Sequence, residues 1–340
     1  MSDGSTSRTG VQRFRRVMVI ALASGILAFL IVPFLIPFES TGTLTASEAA
    51  GADAQFITVN DLEVHVVTAD HTGESPAPPV IVLLHGFGAS TFSWREVLQP
   101  LAEVGDVIAY DRAGFGFTQR PSDWTGENPY GTPGNLELLD ALLADLAPDR
   151  EVILVGHSAG GLIAAEYARL NPDVADRLVL IAPAVFTTGG VPAWLAPVLG
   201  LPQIDRLGPL LVQGIASSGE QLLEQSFVDQ SVLTDVVREG YRAPLTVIGW
   251  EQGLWRFSTA PRDNELLANL ATIEQPTLLI TGDADTVVPT ADTEQLATKL
   301  GDESNPPDLT VIAESGHLPH EERPEQFIAA VLSWIERTDR

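Results

Sequence analysis

Short aliphatic runs alternate with longer amphipathic stretches along most of the chain. A run of about five apolar residues is typical of a strand buried on both faces, whereas apolar residues spaced three and four apart indicate a helix. The alternation predicts an α/β fold, with a mostly parallel central sheet flanked by helices. The predicted strands are 80–84, 106–110, 151–155, 177–182, 276–281 and 309–313, and the predicted helices are 94–104, 135–146, 158–170, 290–300 and 324–337.

Residues 56–67 have a different pattern, in which apolar and polar positions alternate on either side of Asn60 and Asp61. Alternation with a period of two is typical of a strand with one solvated face, and Asn and Asp favour tight turns. We therefore predict an antiparallel hairpin before the first parallel strand.

The alternation of strands and helices stops between residues 185 and 272. This stretch has helical spacing, is divided by Pro and Gly, and contains no clear buried strand. We interpret it as a helical cap insertion, folded over the carboxyl edge of a core formed by 55–184 and 273–340. Its aromatic residues could form an apolar wall for a substrate, although such residues more often belong to a hydrophobic core. They are Trp194, Phe227, Tyr241, Trp250, Trp255 and Phe257.

The amino-terminal part contains an uncharged, apolar stretch, residues 17–37, between a basic tail (1–16) and a small, polar linker expected to be flexible (38–54). A stretch of about 20 residues, at about 1.5 Å per residue, spans a hydrocarbon core of about 30 Å. Arginines before it and acidic residues after it predict a single-pass membrane anchor, with a cytoplasmic amino terminus and an extracytoplasmic catalytic domain. Two alternatives are a cleaved signal peptide, which would give a secreted protein, and a buried helix of a soluble protein.

The composition excludes several functions. A net charge of −26 argues against a nucleic-acid partner, because phosphates are repelled by a surface with so few basic residues. The chain contains no cysteine, which excludes disulfides, thiolate metal sites and a thiol nucleophile. Neither observation indicates the oligomeric state or the chemistry.

The sequence Gly156-His157-Ser158-Ala159-Gly160 stands between a predicted strand and a predicted helix. A G-x-S-x-G motif in this context places the serine on a sharp turn, where glycines relieve close backbone contacts. The hydroxyl group is then exposed at the carboxyl edge of the sheet, beside helical N–H groups that can stabilise an oxyanion. Ser158 is therefore a candidate nucleophile, although the motif alone also fits a turn with a helix-capping serine.

A serine nucleophile requires a base, and the base requires a group that orients it. His317 follows the last predicted strand and so lies at the same sheet edge as Ser158, with His320 as the alternative. Asp283 and Asp285 both follow the preceding strand at this edge. We favour His317 and Asp285.

Five motifs together resemble the α/β-hydrolase superfamily, over about residues 56–337. They are H-G-F-G at 85–88, D-R-A-G-F-G at 111–116, G-H-S-A-G-G at 156–161, G-D-A-D-T-V-V-P at 282–289 and G-H-L-P-H-E-E-R-P at 316–324. The resemblance implies that Ser158 is the nucleophile, Asp285 the acid and His317 the base, in the order of the superfamily. It also implies an oxyanion hole formed by the backbone N–H groups of Phe87 and Ala159, and no metal or organic cofactor.

The serine at position 158 separates this chain from some members of the superfamily. Haloalkane dehalogenases and epoxide hydrolases of this fold have aspartate there, because a carboxylate forms an ester that water then cleaves. The resemblance therefore implies a serine hydrolase of the carboxylesterase or lipase type, acting on a small-molecule ester through an acyl-enzyme. Carbon-carbon bond hydrolases, cofactor-free perhydrolases (haloperoxidases) and certain non-catalytic hormone receptors keep the serine and remain alternatives.

Overall fold

An eight-stranded sheet forms the centre of the structure, a computed structural model that describes residues 6–186, 194–262, 265–301 and 305–338. Its strands are β1 (Gln55–Val59), β2 (Leu62–Ala69), β3 (Val80–Leu84), β4 (Asp106–Tyr110), β5 (Val152–His157), β6 (Arg177–Ile181), β7 (Thr277–Gly282) and β8 (Asp308–Ile312). Their order is β1-β2-β4-β3-β5-β6-β7-β8. Strands β3 to β8 are parallel, whereas β1 and β2 are antiparallel to their neighbours. The predicted fold class is confirmed.

The predicted hairpin is formed by β1 and β2. Asn60 and Asp61, which connect the two strands, have φ values of 48° and 62°. Asparagine and aspartate adopt this left-handed conformation more readily than other non-glycine residues. The pair therefore closes the turn, and the hairpin extends the sheet at one side.

The chain contains helices on both faces of the sheet, in the insertion and at the amino terminus. They are α1 (Thr6–Leu35), α2 (Ala46–Ala50), α3 (Leu98–Leu101), α4 (Thr132–Leu146), α5 (Ala159–Leu170), α6 (Ala196–Leu199), α7 (Pro202–Ser226), α8 (Asp235–Arg242), α9 (Trp250–Thr259), α10 (Thr290–Ala297), α11 (Pro319–Glu322) and α12 (Pro324–Thr338). One core cluster lies under α4 and α5, and a second lies under α3 and α12. In β3, Val82 belongs to the first cluster and Ile81 to the second. Burial on both faces explains why β3 is aliphatic throughout, whereas the edge strand β8 contains polar residues and is largely exposed.

Residues 94–104 form two short turns rather than the single predicted helix. A 3₁₀ turn covers Thr91–Trp94, and α3 covers only Leu98–Leu101. Pro100 would lie in the interior of the predicted helix, where proline removes a backbone donor and clashes with the preceding turn. The proline therefore prevents the helix from beginning as early as residue 94.

The insertion at 185–272 forms α6 to α9, and its residues 187–193 and 263–264 lie outside the described part of the chain, as do residues 1–5 of the predicted tail. Helices α7 and α9 share a small apolar cluster that contains Val212, Trp250 and Trp255. A second cluster joins Phe227 of the insertion to Leu318 of the core. Because Leu318 follows His317, the insertion packs directly on the loop that carries this histidine.

Helix α1 projects from the rest of the molecule. Between residues 12 and 35 its residues are exposed except for Pro33. The segment Gln12–Leu35 is long and apolar enough to cross a membrane, by length and composition. The structure thus contains one amino-terminal apolar helix that is a candidate for an anchor or a signal.

The segment after α1 is attached to the insertion by hydrogen bonds, whereas the sequence predicted a flexible linker. The N–H and hydroxyl groups of Thr41 both donate to Glu251 Oε1, at 2.7 and 2.9 Å, and Ser40 donates to Glu251 Oε2 at 2.7 Å. The N–H groups of Thr43 and Leu44 share the carbonyl oxygen of Thr246. A buried carboxylate accepts these bonds, and burial without partners would be costly, so the small polar residues of the linker stabilise Glu251.

Candidate active site

Ser158 occupies a strained position between β5 and α5. Its φ of 50° and ψ of −115° lie outside the regions that non-glycine residues normally adopt. The turn is held by hydrogen bonds from Ser158 N–H to Ile181 O, at 2.9 Å, and from Leu162 N–H to Ser158 O, at 3.2 Å. The predicted strand-to-helix turn at this serine is therefore present.

At two positions around this turn the backbone is packed so closely that only glycine fits. A Cβ on Gly160 would lie 2.1 Å from the carbonyl oxygen of Leu84. A Cβ on Gly86, in the H-G-F-G loop, would lie 3.2 Å from Cβ of Ser158. The H-G-F-G loop therefore passes directly beside the serine.

His317 and Asp285 form a buried pair at the same edge of the sheet. His317 Nδ1 lies 2.8 Å from Asp285 Oδ2, and the two residues are 5% and 6% exposed. The other carboxylate oxygen of Asp285 accepts the N–H groups of Val287 and Val288, at 2.8 and 2.9 Å. These bonds fix the orientation of the carboxylate toward the imidazole. Asp283, the alternative acid, is exposed and accepts the N–H of Ser315 at 3.3 Å.

His157, which directly precedes Ser158, lies against His317. The rings of His157 and His317 have centroids 4.6 Å apart, and His157 Nε2 donates to the carbonyl oxygen of His317 at 2.9 Å. Burial lowers the pKa of His157 well below its usual value, so this ring is neutral. Within the described residues, no hydrogen bond joins Ser158 Oγ to His317, and His317 Nε2 has no partner. Catalytic hydrogen bonds are often long without substrate and tighten in the complex.

His320, the alternative base, is a core residue. It is fully buried, and its ring lies against Trp94 with centroids 4.6 Å apart. Neither ring nitrogen has a hydrogen-bond partner in the described structure. Burial, with smaller contributions from Arg95 and His317, lowers the pKa of His320 to about 3. A ring with so low a pKa does not accept a proton at neutral pH, so His320 does not fit the role of the base.

Replacing His320 with leucine should reduce the loss of stability in acid. Unfolded histidine has a pKa of about 6.5, whereas folded His320 stays unprotonated down to about pH 3. The unfolded chain therefore binds one more proton between these values, so His320 destabilises the fold as the pH falls through about 6.5. The free energy of unfolding of the full chain in detergent is measured with denaturant between pH 7.5 and pH 4. Its slope against pH should be smaller for His320→Leu than for the parent, by the equivalent of one bound proton. Equal slopes for the parent and the variant would contradict the burial argument.

The H-G-F-G loop is held by two neighbouring side chains. His85 Nδ1 donates to the carbonyl oxygen of Gly86 at 2.8 Å, and the Arg112 guanidinium donates to the same oxygen at 3.1 Å. Burial lowers the pKa of His85 to about 3, so its Nε2 is free to accept the N–H of Arg112, at 3.1 Å. The carbonyl of Gly86 and the N–H of Phe87 belong to one planar peptide group and point in opposite directions. Fixing the carbonyl therefore fixes the direction of the Phe87 N–H.

The two N–H groups predicted for the oxyanion hole belong to Phe87 and Ala159. Ala159 is the first residue of α5, where backbone N–H groups have no intrahelical acceptor. Neither N–H group has a hydrogen-bond partner among the residues that the structure describes. Both are thus available to a ligand beside Ser158.

Glu322 joins the insertion to the loop that carries His317. Its Oε1 accepts the N–H groups of Val228 and Asp229, at 2.8 and 2.5 Å, and its Oε2 accepts the N–H of Gly316 at 2.7 Å. The side chain is 3% exposed. One carboxylate therefore fixes both the end of α7 and the residue before His317.

Glu321 makes a second connection of this kind. Its carboxylate accepts hydrogen bonds from the hydroxyl of Tyr241, in α8, and from the guanidinium of Arg95, in the core. Burial raises the pKa of Glu321 to about 7. We did not predict a role for either glutamate from the sequence, and the available signal was a pair of consecutive acids within five residues of His317.

The aromatic residues of the insertion have different positions. Phe257 stacks on Phe87, with centroids 5.6 Å apart, and lies edge-on to Phe115 at 4.6 Å. Phe227 and Tyr241 belong to the cluster around Leu318. Trp250 and Trp255 pack inside the insertion, and Trp194 is 77% exposed. Of the predicted wall, Phe257 is the residue in contact with the H-G-F-G loop.

The fold and the site have the arrangement of an α/β-type hydrolase. A family model described as the alpha/beta hydrolase family matches residues 81–330, so the chain belongs to this family. The resemblance predicted from the five motifs is thereby confirmed.

Several known proteins are similar to this chain. The 2-hydroxy-6-oxo-2,4-heptadienoate hydrolase of Pseudomonas putida is 28% identical over 76% of this chain and 90% of its own length. A thermophilic esterase from Thermogutta terrifontis is 21% identical, with a TM-score of 0.64, and covers 84% of this chain and 99% of its own. A membrane phospholipase A, described as a bacterial virulence factor, is 25% identical, with a TM-score of 0.60, and covers 96% of this chain and 98% of its own.

Proposed function

We propose that this hydrolase cleaves carboxylic esters through an acyl-enzyme formed on Ser158. The observation that carries the proposal is the convergence of three groups at one sheet edge: a strained serine, and a histidine whose Nδ1 lies 2.8 Å from a buried aspartate. A histidine oriented in this way through Nδ1 presents Nε2 as the proton acceptor. No role in the proposal requires a metal or an organic cofactor.

The reaction follows from these positions. Ser158 Oγ attacks the ester carbonyl and transfers its proton to His317 Nε2, while Asp285 stabilises the imidazolium that forms. The N–H groups of Phe87 and Ala159 donate to the oxyanion of the tetrahedral intermediate, together with the positive end of α5. The imidazolium then protonates the leaving alcohol. Water, deprotonated by His317, attacks the acyl-enzyme and releases the carboxylic acid.

An apolar ester at a membrane is the substrate class that we favour. Phe87, Phe115 and Phe257 form an apolar cluster beside the proposed oxyanion hole. The likeness to the membrane phospholipase covers 96% of this chain, so it includes most of the amino-terminal helix, whereas the esterase covers 84%. We therefore propose that α1 anchors the enzyme, with the amino terminus in the cytoplasm and the catalytic domain outside. Cleavage of α1 as a signal, with secretion of the enzyme, is the alternative.

Labelling with a fluorophosphonate tests the proposed nucleophile, because only an activated serine reacts readily with this reagent. We expect one label per chain, on the peptide that contains Ser158, and loss of ester hydrolysis in proportion to labelling. The matched control is the same chain unfolded in denaturant, which should not react. Absence of labelling in a folded sample would overturn the proposal.

A substrate panel separates the alternative activities. We expect hydrolysis of p-nitrophenyl esters, with kcat/KM rising from the acetate to the octanoate because an apolar cluster lines the site. The panel also contains 2-hydroxy-6-oxo-2,4-heptadienoate, the compound in the name of the P. putida relative, and an ester with hydrogen peroxide. Turnover of that compound alone would favour carbon-carbon hydrolysis, and peracid formation would favour a perhydrolase. Tight binding of an ester without turnover would favour a receptor.

A further inference from the structure

The insertion exposes apolar side chains immediately before α7. Trp194 is 77% exposed, Val198 is 45% exposed and Leu201 is 39% exposed. No charged residue occurs between positions 194 and 201, in a chain whose net charge is −26. We call Trp194, Val198 and Leu201 the α6 patch. Exposed large apolar residues grouped in this way mark an interaction surface.

The path of the chain after α1 locates the patch relative to that helix. The Arg206 guanidinium donates to Ile36 O at 3.3 Å, and the Gln213 amide donates to Glu39 O at 3.4 Å. Residues 36–39 therefore run alongside α7 in its own direction, from Arg206 toward Gln213. Helix α1 must then leave the molecule at the amino-terminal end of α7. Leu201 immediately precedes that end.

The segment after α1 is also held farther along the insertion. Beyond residue 39, Ser40 and Thr41 donate to the buried carboxylate of Glu251, and Trp250 Nε1 donates to Thr41 Oγ1 at 3.0 Å. Pro33, near the end of α1, is buried as well. These contacts hold the segment that follows α1 on the insertion. A bilayer that contains α1 must therefore lie against the end of the insertion that carries the α6 patch.

We propose that the α6 patch docks into the headgroup region of the bilayer that α1 spans. The inference rests on the membrane anchoring proposed above. Tryptophan with aliphatic neighbours is favoured at this depth, where apolar surface is buried and the indole N–H stays hydrated. The absence of carboxylates from 194–201 also avoids the cost of placing negative charges against lipid. The docked patch orients the insertion, and the site that it covers, toward the membrane surface.

Single-cysteine variants test this orientation, because the chain has no cysteine of its own and a nitroxide can be attached at one place. The test positions are Trp194→Cys and Val198→Cys. The control in the same insertion is Val236→Cys, which is 71% exposed on α8. Helix α8 contacts Glu220 through Arg238, and Glu220 lies roughly 28 Å along α7 from Leu201. The control in the core is Leu170→Cys, 50% exposed at the end of α5 opposite to Ser158.

The labelled full-length chains are reconstituted into phosphatidylcholine vesicles, and the accessibility of each nitroxide to oxygen and to an aqueous nickel complex is measured. The oxygen-to-nickel ratio should be about threefold or more higher at 194 and 198 than at 170 and 236, because apolar side chains in the interface lie several ångströms below its surface. Equal ratios at all four positions would overturn the proposal. Dipolar broadening between labels at 198, without oxygen enrichment, would also overturn it and would identify a second copy of the chain as the partner.

Hydrolysis of p-nitrophenyl butyrate by the same samples separates this inference from the proposed function. If the esters are cleaved while the labels at 194 and 198 remain in water, docking is wrong and the hydrolase proposal stands. If the labels lie in lipid and no ester is cleaved by any sample, the docking is supported and the proposed activity is wrong.

Discussion

Replacing Ser158 with alanine is expected to lower kcat for p-nitrophenyl butyrate by about 10⁴- to 10⁶-fold, leaving only the rate supported by binding and the oxyanion hole. The loss should be this large because no other group at the sheet edge replaces the attacking oxygen, and cysteine is absent from the chain. Alanine retains a Cβ, so the unusual φ of 50° is equally strained in the variant. The unfolding midpoint should therefore change little, which separates lost chemistry from lost folding.

Ser258→Ala is the matched control for this variant. Ser258 lies in α9, and its hydroxyl donates to Leu254 O within the same helix at 2.7 Å. Steady-state kinetics of the two variants and the parent, purified together in detergent, provide the comparison. If Ser158→Ala retained a tenth or more of the parent activity, the acyl-enzyme mechanism on this residue would have to be abandoned.

Asp285→Asn is expected to lower kcat by about 10⁴-fold, with little change in KM. Asp285 Oδ1 accepts two backbone N–H groups, so the asparagine oxygen must occupy that position. The asparagine NH₂ group then faces His317 Nδ1, where Asp285 Oδ2 now lies at 2.8 Å. Two donors cannot face each other, so the imidazole must carry its proton on Nε2. In that tautomer His317 cannot accept the proton of Ser158.

Asp283→Asn provides the control, because this aspartate is exposed and accepts only the N–H of Ser315, at 3.3 Å, among the described residues. Its kcat should stay within about threefold of the parent, as expected for a solvated side chain. The pH dependence of kcat/KM, measured for both variants, reports whether the base has changed. A larger loss for Asp283→Asn than for Asp285→Asn would reverse the assignment of the acid.

The inner strands of the sheet were predictable because they are buried on both faces. The run from Val80 to Leu84 has no polar position, and the structure places alternate residues in two different core clusters.

The position of the candidate site was predictable from the same parallel strands. Ser158 follows β5 directly, Asp285 and His317 lie in the loops after β7 and β8, and the carboxyl ends of such parallel strands meet at one edge. The position of each residue after a parallel strand therefore predicts that the three side chains lie at the same edge of the sheet.

The connections between the insertion and the core were not predictable in this way. Glu251, Glu321 and Glu322 read as solvated charges, yet the three are 0%, 2% and 3% exposed. Their burial depends on hydrogen bonds to residues that are 80 or more positions away in the sequence. Periodicity reports only local neighbours, so it could not indicate these partners. The attachment of residues 40–44 was missed for the same reason, since a small polar segment has no apolar pattern that indicates a binding partner.

The shared carboxylate of Glu322 limits how this enzyme can be redesigned. Exchanging the insertion for that of a relative, in order to change the acyl groups accepted, would remove the N–H groups of Val228 and Asp229 from one side of Glu322. The carboxylate would then be left buried and partly unpaired next to Gly316, one residue before His317. A transplanted insertion should therefore retain residues 226–229 of the present chain, so that new specificity is obtained without displacing the base.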